Sequence, residues 1–507
     1  MDRASVRLVA ALVALKVLVH LAVITRYGFH GDELYFIECG RHLAFGYVDH
    51  PPLIPWIARI TDELGGGIVL LRLPAVAAGA GTMVVASLLV HEWGGGWRAQ
   101  LVALLSLAVG PAHLRVGAML NIPVIEIFFC TLTAYLVVRA LSREERWTWV
   151  LAGLSLGLAI LAKHSSAIWA AALAVGILVT PHRRVLATRW PWIGFALAAA
   201  MNVPNVVWQM NHDFATLEFL RTLRREVVMT QGRLLFVAGQ VLYYHPLVIP
   251  VWVSGLVFGL RRRGDTSYIF AVLFIAMFAF LLASGGKPYY LGSAYPAVLA
   301  AGGVALEGWA KERSLAWRTL VASIGITGGS FAIATLPLLP LPTVDKTMAA
   351  LFGWAVPPFA LTHDLHGMYG WEAHAKVIDD VLASLPESER STASVLAGSY
   401  SQASAVNVLR KDPTPRAVSG NMNYYLWGPE PGRGETLIAY GVSRNLLDRH
   451  YRACTEVTRV DAPLARPYDT DLPVYVCRDP VGTMNGWWPE VKRFGHLPTN
   501  SETGGQP

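Results

Sequence analysis

MDRASVRLVAALVALKVLVHLAVITRYGFHGDELYFIE, Met1–Glu38, is the stretch that decides the fold. Its apolar run covers residues 6–25, and about 20 apolar residues suffice to cross ~30 Å of hydrocarbon. Arg3 and Arg7 precede the run as they would in a secretory signal, but no small-x-small cleavage site follows, and TRYGF is bulky. The run therefore reads as a retained first span. Directly beyond it, Gly28–Tyr35 reads GFHGDELY, with two adjacent carboxylates between apolar and aromatic flanks.

Similar apolar runs recur outward from this point. They fall at 67–91, 99–118, 121–140, 148–162, 165–180, 191–210, 234–260, 267–284, 289–310 and 317–340. Together they predict a polytopic α-helical membrane protein of about 11 spans. Composition agrees: of 507 residues, 54% are hydrophobic and 15% charged, against about 25% charged in soluble domains. A large soluble enzyme is excluded because too many runs exceed the length of a core helix. The formal charge of +7 does not point to nucleic acid. Its Lys and Arg sit in short loops between apolar runs, where the positive-inside rule and anionic headgroups account for them.

With Arg3 and Arg7 in the cytoplasm, the inner loops are HEWGGGWR, RALSREERW, PHRRVLATRW, RRRG and EGWAKERSLAWR, most of them basic. The outer segments are then 26–66, RVGAMLN, KHSS, 211–233 and SGGKPYY. This orientation gathers Asp32, Glu33, Asp49, His50, Lys163, His164 and Lys287 on the outer side of the plasma (inner) membrane. Segment 211–233 departs from the rule by carrying Arg221, Arg224, Arg225 and Arg233. Two readings of it stand: a local anionic partner, or an interfacial helix.

The chain divides at about residue 340. Residues 1–340 form a multi-span catalytic region whose first outer loop, 26–66, carries interfacial helices. Residues 341–507 lack a further span and form a C-terminal extracytoplasmic α/β domain. WEAHAKVIDDVLASLP has helical spacing and ends at Pro, while SVLAGSY, TLIAYGV and LPVYVCRD read as strands. No internal repeat of the transporter kind is visible. Of the 4 cysteines, Cys39 and Cys130 lie near or in the membrane region. Cys454 and Cys477 lack Cys-x-x-Cys spacing, which argues against zinc. Whether they form a disulfide is open, and an extracytoplasmic tail would permit it.

Several stretches carry chemistry. Asp32 and Glu33 lie near the outer interface, where reduced solvation raises a carboxylate's basicity and suits it to act as a general base. In YVDHPPLIPW, Pro-Pro stiffens the chain and holds Asp49 and His50 on an elbow before an amphipathic helix. ILAKHSS sets Lys163 and His164 at the end of a short run, where Lys163 either snorkels or acts on substrate. In SGGKPYY, Lys287 with Tyr289 and Tyr290 offers a cation and two phenols to a phosphate oxygen. Glu126 is an intramembrane carboxylate: either a site residue or half of a structural pair with a neighbouring cation.

Together these motifs resemble the polyprenyl-phosphate-sugar-dependent glycosyltransferases of the GT-C superfamily. The branch is the one containing bacterial relatives of protein O-mannosyltransferases and the aminoarabinose transferase. Asp32-Glu33 is similar to that family's Asp-Glu pair in the first outer loop. YVDHPPL, Tyr47 included, is similar to its second element, and LAKHSS and GKPYYLGSAYPAVLAAG to later ones. The tail stretches GWEAHAKVI, LAGSYSQASAV and SGNMNYYLWGP resemble the family's outer domain. There are departures: His50 stands where relatives often carry Lys, and LNIPVIEIFF lacks a Thr-Pro-Asp, with Glu126 the candidate replacement acid.

The resemblance implies a sugar donor on a polyprenyl phosphate and transfer with inversion to an acceptor hydroxyl of a protein, lipid or envelope glycan. Asp32 would be the base, with Glu33 or Asp49 positioning. His50, Lys287, Tyr289, Tyr290, Arg224 and Arg225 would stabilise the leaving phosphate. Tyr47, Asp49, Glu126, Lys163 and His164 complete the candidate site. No organic cofactor is implied, although clustered carboxylates could recruit a divalent cation. The competing reading is a transporter or flippase of lipid-linked sugars, which would place its ionisable residues near the bilayer midplane.

Overall fold

The opening run is helix α1 (Arg3–Val23), which starts where the Asp2 carboxylate accepts the Ser5 N–H at 2.7 Å. The computed structural model describes residues 1–230, 232–353, 358–430 and 434–495. Next come α2 (Gly31–Arg41), α3 (Leu53–Glu63), α4 (Gly67–Glu92), α5 (Trp97–Val109), α6 (Pro111–Val116), α7 (Ile122–Ser142) and α8 (Thr148–Ala162). They are followed by α9 (Ser166–Leu178), α10 (Trp190–Asn211), α11 (Ala215–Thr230), α12 (Gly232–Tyr243), α13 (Ile249–Arg261), α14 (Thr266–Ser284), α15 (Tyr295–Glu312) and α16 (Ser314–Thr335).

Among the described residues, 4 helices (α1, α4, α7 and α14) are long and apolar enough to cross a membrane, or up to 6 spans if two bent pairs each count once. The apolar runs predict about 11 by length; part of the difference lies in backbone breaks, and part in helices such as α10, α15 and α16 that are continuous but less apolar. The run 99–118 divides at Gly110–Pro111 into α5 and α6, because Pro lacks an N–H and drives its predecessor out of helical geometry. The run 234–260 bends by 84° where His245, at φ 72°, precedes Pro246. After α9 the chain turns by 109° into Pro181–Ala187.

The helices pack in the pairs α4–α7, α7–α8, α8–α10, α5–α15, α13–α15 and α9–α14. Small residues permit the closest of these approaches. A Cβ on Gly153 of α8 would lie 2.2 Å from the Gly194 carbonyl of α10, so the two backbones touch there, as small residues allow in membrane helix pairs.

The tail comprises α17 (Leu341–Phe352), α18 (Pro358–His366), α19 (Trp371–Ser384), α20 (Glu387–Arg390), β1 (Ser394–Ala397), α21 (Tyr400–Leu409), β2 (Ala417–Val418) and α22 (Asn423–Trp427). It ends with β3 (Leu437–Tyr440), α23 (Arg444–His450), β4 (Tyr451–Val460), β5 (Leu472–Pro480) and α24 (Met484–Trp487). The strands form one 5-stranded sheet in the order β2-β1-β3-β5-β4. The pairs β2–β1 and β1–β3 are parallel, while β5 runs antiparallel to β3 and β4. Cys454 and Cys477 face each other across β4 and β5 and form a disulfide. The predicted helix and three predicted strands coincide with α19, β1, β3 and β5. β4 escaped the sequence reading because it is exposed on both faces for most of its length, so no apolar alternation marks it.

One buried cluster runs from segment 26–66 into this sheet. Tyr35, Phe36, Tyr47, Val48 and Ile54 share it with Val395, Ile438, Tyr440, Val474 and Val476. At its edge, the buried Glu38 of α2 accepts from Asn407 Nδ2 at 3.2 Å and pairs with Arg41 at 3.3 Å and with Arg416. The tail thus fixes where α2 begins and which way it points.

Candidate active site

The site grows from the first turn of α2. His30 caps the helix: its Nδ1 accepts the Asp32 N–H at 3.1 Å, and its own N–H donates to Glu33 Oε2 at 2.9 Å. This reciprocal pair satisfies two orphan donors of the helix start, with His in the place usually taken by Ser or Thr. It also turns the adjacent carboxylates to opposite fates.

Glu33 is fully buried and saturated. It takes Arg72 Nε at 2.9 Å and Nη2 at 2.7 Å, the Leu120 N–H at 3.0 Å and the His30 N–H. A carboxylate so occupied holds the turn in place, which fits the positioning role expected of Glu33 from the sequence. Asp32 is the open member of the pair, with its side chain 41% exposed. Its Oδ1 accepts the Tyr400 O–H at 2.7 Å, and its Oδ2 lies 3.6 Å from His30 Nδ1. Burial and the Asp32 charge push the Tyr400 phenol well above its ordinary range, so Tyr400 remains a donor.

The Asp49–His50 elbow lies behind this wall. His50 is 1% exposed, and its ring packs on Tyr47 at 4.9 Å, Phe36 at 5.3 Å and Tyr35 at 5.8 Å. Its Nδ1–H donates to the Pro51 carbonyl at 3.0 Å, leaving Nε2 facing Asp49 at 3.7 Å. The phosphate-binding role expected of His50 is therefore corrected: the rigid elbow turns the ring into the core. Tyr47 is likewise structural, its O–H donating to the Cys39 carbonyl at 2.8 Å. Asp49 accepts the Tyr35 O–H at 3.1 Å, and burial raises its pKa.

The candidate cations are Lys287, Lys163, Arg224 and Arg225. Lys287 sits half-buried at the turn before Pro288, and no hydrogen bond or ion pair among the described residues holds its ammonium. Burial lowers its pKa, against the opposing fields of Glu226, Asp32 and Asp364, and Lys163 lowers it further. The field of Asp32 thus reaches Lys287, although the two are widely separated in sequence. Lys163 pairs with Glu126 at 3.0 Å and lies over the Tyr290 ring at 4.2 Å and the Tyr289 ring at 5.2 Å. Ser165 Oγ donates to the other Glu126 oxygen at 3.0 Å, so Glu126 is half of a structural pair. His164 Nε2 meets Asn205 Oδ1 at 3.1 Å. Arg224 lines a neighbouring cleft of about 170 Å³ with Arg233, Phe236 and the Gly285–Gly286 turn leading to Lys287. Arg225 is exposed on the same helix, α11.

The tail brings charged and phenolic groups within the field of Asp32 that the sequence reading missed. Arg466 interacts electrostatically with Asp32 and Tyr400 and bonds Asp469 at 2.8 Å, and Tyr468 lies within the fields of Asp32 and Asp364. Asp364 pairs with Arg115 at 2.7 Å. Burial alone would raise Asp364, but Arg115, His363 and His30 hold it well below the usual carboxylate range. Only Tyr400 had a readable signal: Ser399-x-x-Gln402 is a capping box, and it starts α21 with Tyr400 in its first turn. Among the described residues, no group of three or more His, Cys, Asp or Glu side chains is placed to hold a metal ion. The divalent cation considered from the sequence therefore enters no step below.

Three similarities bear on this geometry. The family model described as dolichyl-phosphate-mannose-protein mannosyltransferase matches residues 49–208. The lipid A galacturonosyltransferase RgtD of Rhizobium johnstonii is 29% identical over 195 residues, which is 37% of this chain and 40% of that protein's length. The crystal structure of ArnT from Cupriavidus metallidurans bound to undecaprenyl phosphate superposes with a TM-score of 0.60 at 15% identity, covering 92% of this chain and 97% of that one. Its apo state gives 0.57 at 16%, with the same coverage.

Proposed function

Starting from a GT-C glycosyltransferase architecture, which this chain shares over nearly all its length with ArnT, we propose that it transfers a sugar from a polyprenyl-phosphate donor to an acceptor hydroxyl. The acceptor oxygen attacks the anomeric carbon and its proton passes to Asp32. The bond from that carbon to the phosphate oxygen breaks, and the lipid phosphate leaves with the bonding pair. Attack from the face opposite the leaving group inverts the anomeric centre. Lys287 takes up the charge developing on the phosphate, Tyr289 and Tyr290 line the same turn, and Arg224 and Arg225 flank the donor's approach. His30 and Glu33 fix the helix start that presents Asp32, and Tyr400 orients its carboxylate.

The observation that supports this reading most is an open carboxylate, Asp32, held by the Tyr400 hydroxyl, whose field reaches the Lys287 ammonium. A base for the attacking hydroxyl and an uncommitted cation for the leaving phosphate are what displacement at the anomeric carbon requires. The site lies on the extracytoplasmic side in this reading, with the N-terminus cytoplasmic. The Cys454–Cys477 disulfide supports that side, since disulfides persist in oxidising compartments.

The test is turnover of a polyprenyl-phosphate sugar in proteoliposomes. Lys287→Gln is expected to cut the rate about 10²–10³-fold, the usual effect of removing one donor to a developing oxyanion. The pH profile gives a second check. Lys287 must be cationic, and its pKa lies below the ordinary 10.5, so the alkaline limb of kcat/KM falls before free lysine would titrate. Lys287→Arg keeps the charge and moves that limb upward. A limb indifferent to this exchange removes Lys287 from the reaction.

A further inference from the structure

A second cavity of about 320 Å³ opens at the other end of α2, lined by His42, Tyr47, Trp208, His212, Asn423 and Trp427, among others. Asp32 is not among its lining residues. Asn423 bonds the Tyr35 phenol, Tyr35 packs on Tyr400 at 4.5 Å, and Tyr400 holds Asp32. Tyr35 and Tyr400 therefore stand between this lining and Asp32.

The lining repeats one device twice. His42 stacks on Trp427 with centroids 4.2 Å apart, and His212 stacks on Trp208 at 4.0 Å. Each imidazole faces a backbone carbonyl with Nδ1: His42 the Glu38 oxygen at 3.0 Å, His212 the Trp208 oxygen at 2.8 Å. A carbonyl only accepts, so Nδ1 carries the proton, and in the neutral ring Nε2 is a bare lone pair. No hydrogen bond among the described residues engages either Nε2. The wall is deliberate in its packing too, since a Cβ at Gly46 would lie 2.6 Å from the Trp208 ring. Two acceptors of fixed direction beside indole rings suit a ligand rich in hydroxyl donors that also has an apolar C–H face. The lining includes Leu43, which is 56% exposed, and its chain neighbour Phe45 is 54% exposed, so apolar surface lies next to the cleft.

We propose that this cleft is a carbohydrate subsite that holds a pyranose ring of a glycolipid. Ring hydroxyls donate to His42 and His212 Nε2, the ring's C–H face lies on an indole, and the lipid chain leaves past Leu43 and Phe45. Calling that glycolipid the acceptor rests on the glycosyltransferase reading, whereas the binding itself does not.

The test uses the full chain in phosphatidylcholine nanodiscs. The probes are decyl β-glucoside, β-galactoside and N-acetyl-β-glucosaminide, each with a diazirine on the first chain carbon, and the matching diazirine alcohol as control. At least one glycoside is expected to label peptides spanning 42–47 or 423–427 where the alcohol does not. His42→Phe and His212→Phe keep the ring stack but lose the lone pair, and each is expected to weaken that labelling about 2–10-fold. Equal labelling by the alcohol, or unchanged labelling in both Phe variants, overturns the proposal. A methyl glycoside that competes as well as its decyl counterpart at equal concentration overturns the glycolipid assignment in favour of a soluble glycan. Asp32→Asn separates the two readings. Labelling retained with transfer lost supports both, and labelling retained with transfer unchanged leaves the cleft standing while the catalytic reading falls.

Discussion

Asp32→Asn is expected to slow sugar transfer about 10²–10⁴-fold, the usual worth of one general base, with little change in folding. The amide is isosteric, and its oxygen can still accept the Tyr400 O–H. The cap made by His30 uses the backbone N–H of residue 32, which the substitution leaves alone. The side chain is 41% exposed, so little packing is at stake. Removing a negative charge from the first turn costs about 0.3–1 kcal/mol of helix-terminus stabilisation. The measurement is donor turnover in proteoliposomes beside a thermal unfolding curve. Normal turnover by this variant would remove Asp32 as the base.

Arg72→Met is expected to cause the larger loss of stability, about 3–5 kcal/mol, because breaking a buried ion pair leaves its partner's charge uncompensated. Both side chains of the pair are fully buried. Arg72 also donates to the carbonyls of Ile24 and Gly28 at 2.8 Å each, tying the exit of α1 to the start of α2. Against a usual total of about 5–15 kcal/mol, such a loss lowers folded yield outright. A double variant, Arg72→Met with Glu33→Leu, removes the orphaned charge and is expected to recover part of the stability. It does not recover transfer, because Asp32 then stands on a turn no longer anchored. Protease resistance in membranes reports the first effect and turnover the second. A single variant as resistant as the parent would show that the pair is not structural.

The positions of the apolar runs were legible because hydrophobic length is a one-dimensional property. The number of spans was not, because it depends partly on whether a Pro bends a helix or only sits in it, and partly on how apolar each helix is along its length. Pro204 lies inside α10, while Pro111 and Pro246 stand at breaks. Asp32, Lys163 and Lys287 could be singled out as candidates from their settings in the chain. His50 could not be placed, since its sequence neighbours say nothing of Phe36 and Tyr35 closing over the ring. Arg115, Asp364 and Arg466 were invisible for a related reason: each gains meaning only from a partner brought close by the tertiary fold.

The hydroxyl that steadies Asp32 comes from a residue 368 positions later in the chain. At about 5–20 residues per second, a ribosome needs about 20–70 s to cover that interval. Throughout that time the early helices already exist while the tyrosine does not. In the proposed reaction, a nascent or prematurely terminated polypeptide would present Asp32 without the hydroxyl that orients it, so the order of synthesis delays completion of the site until the tail is made.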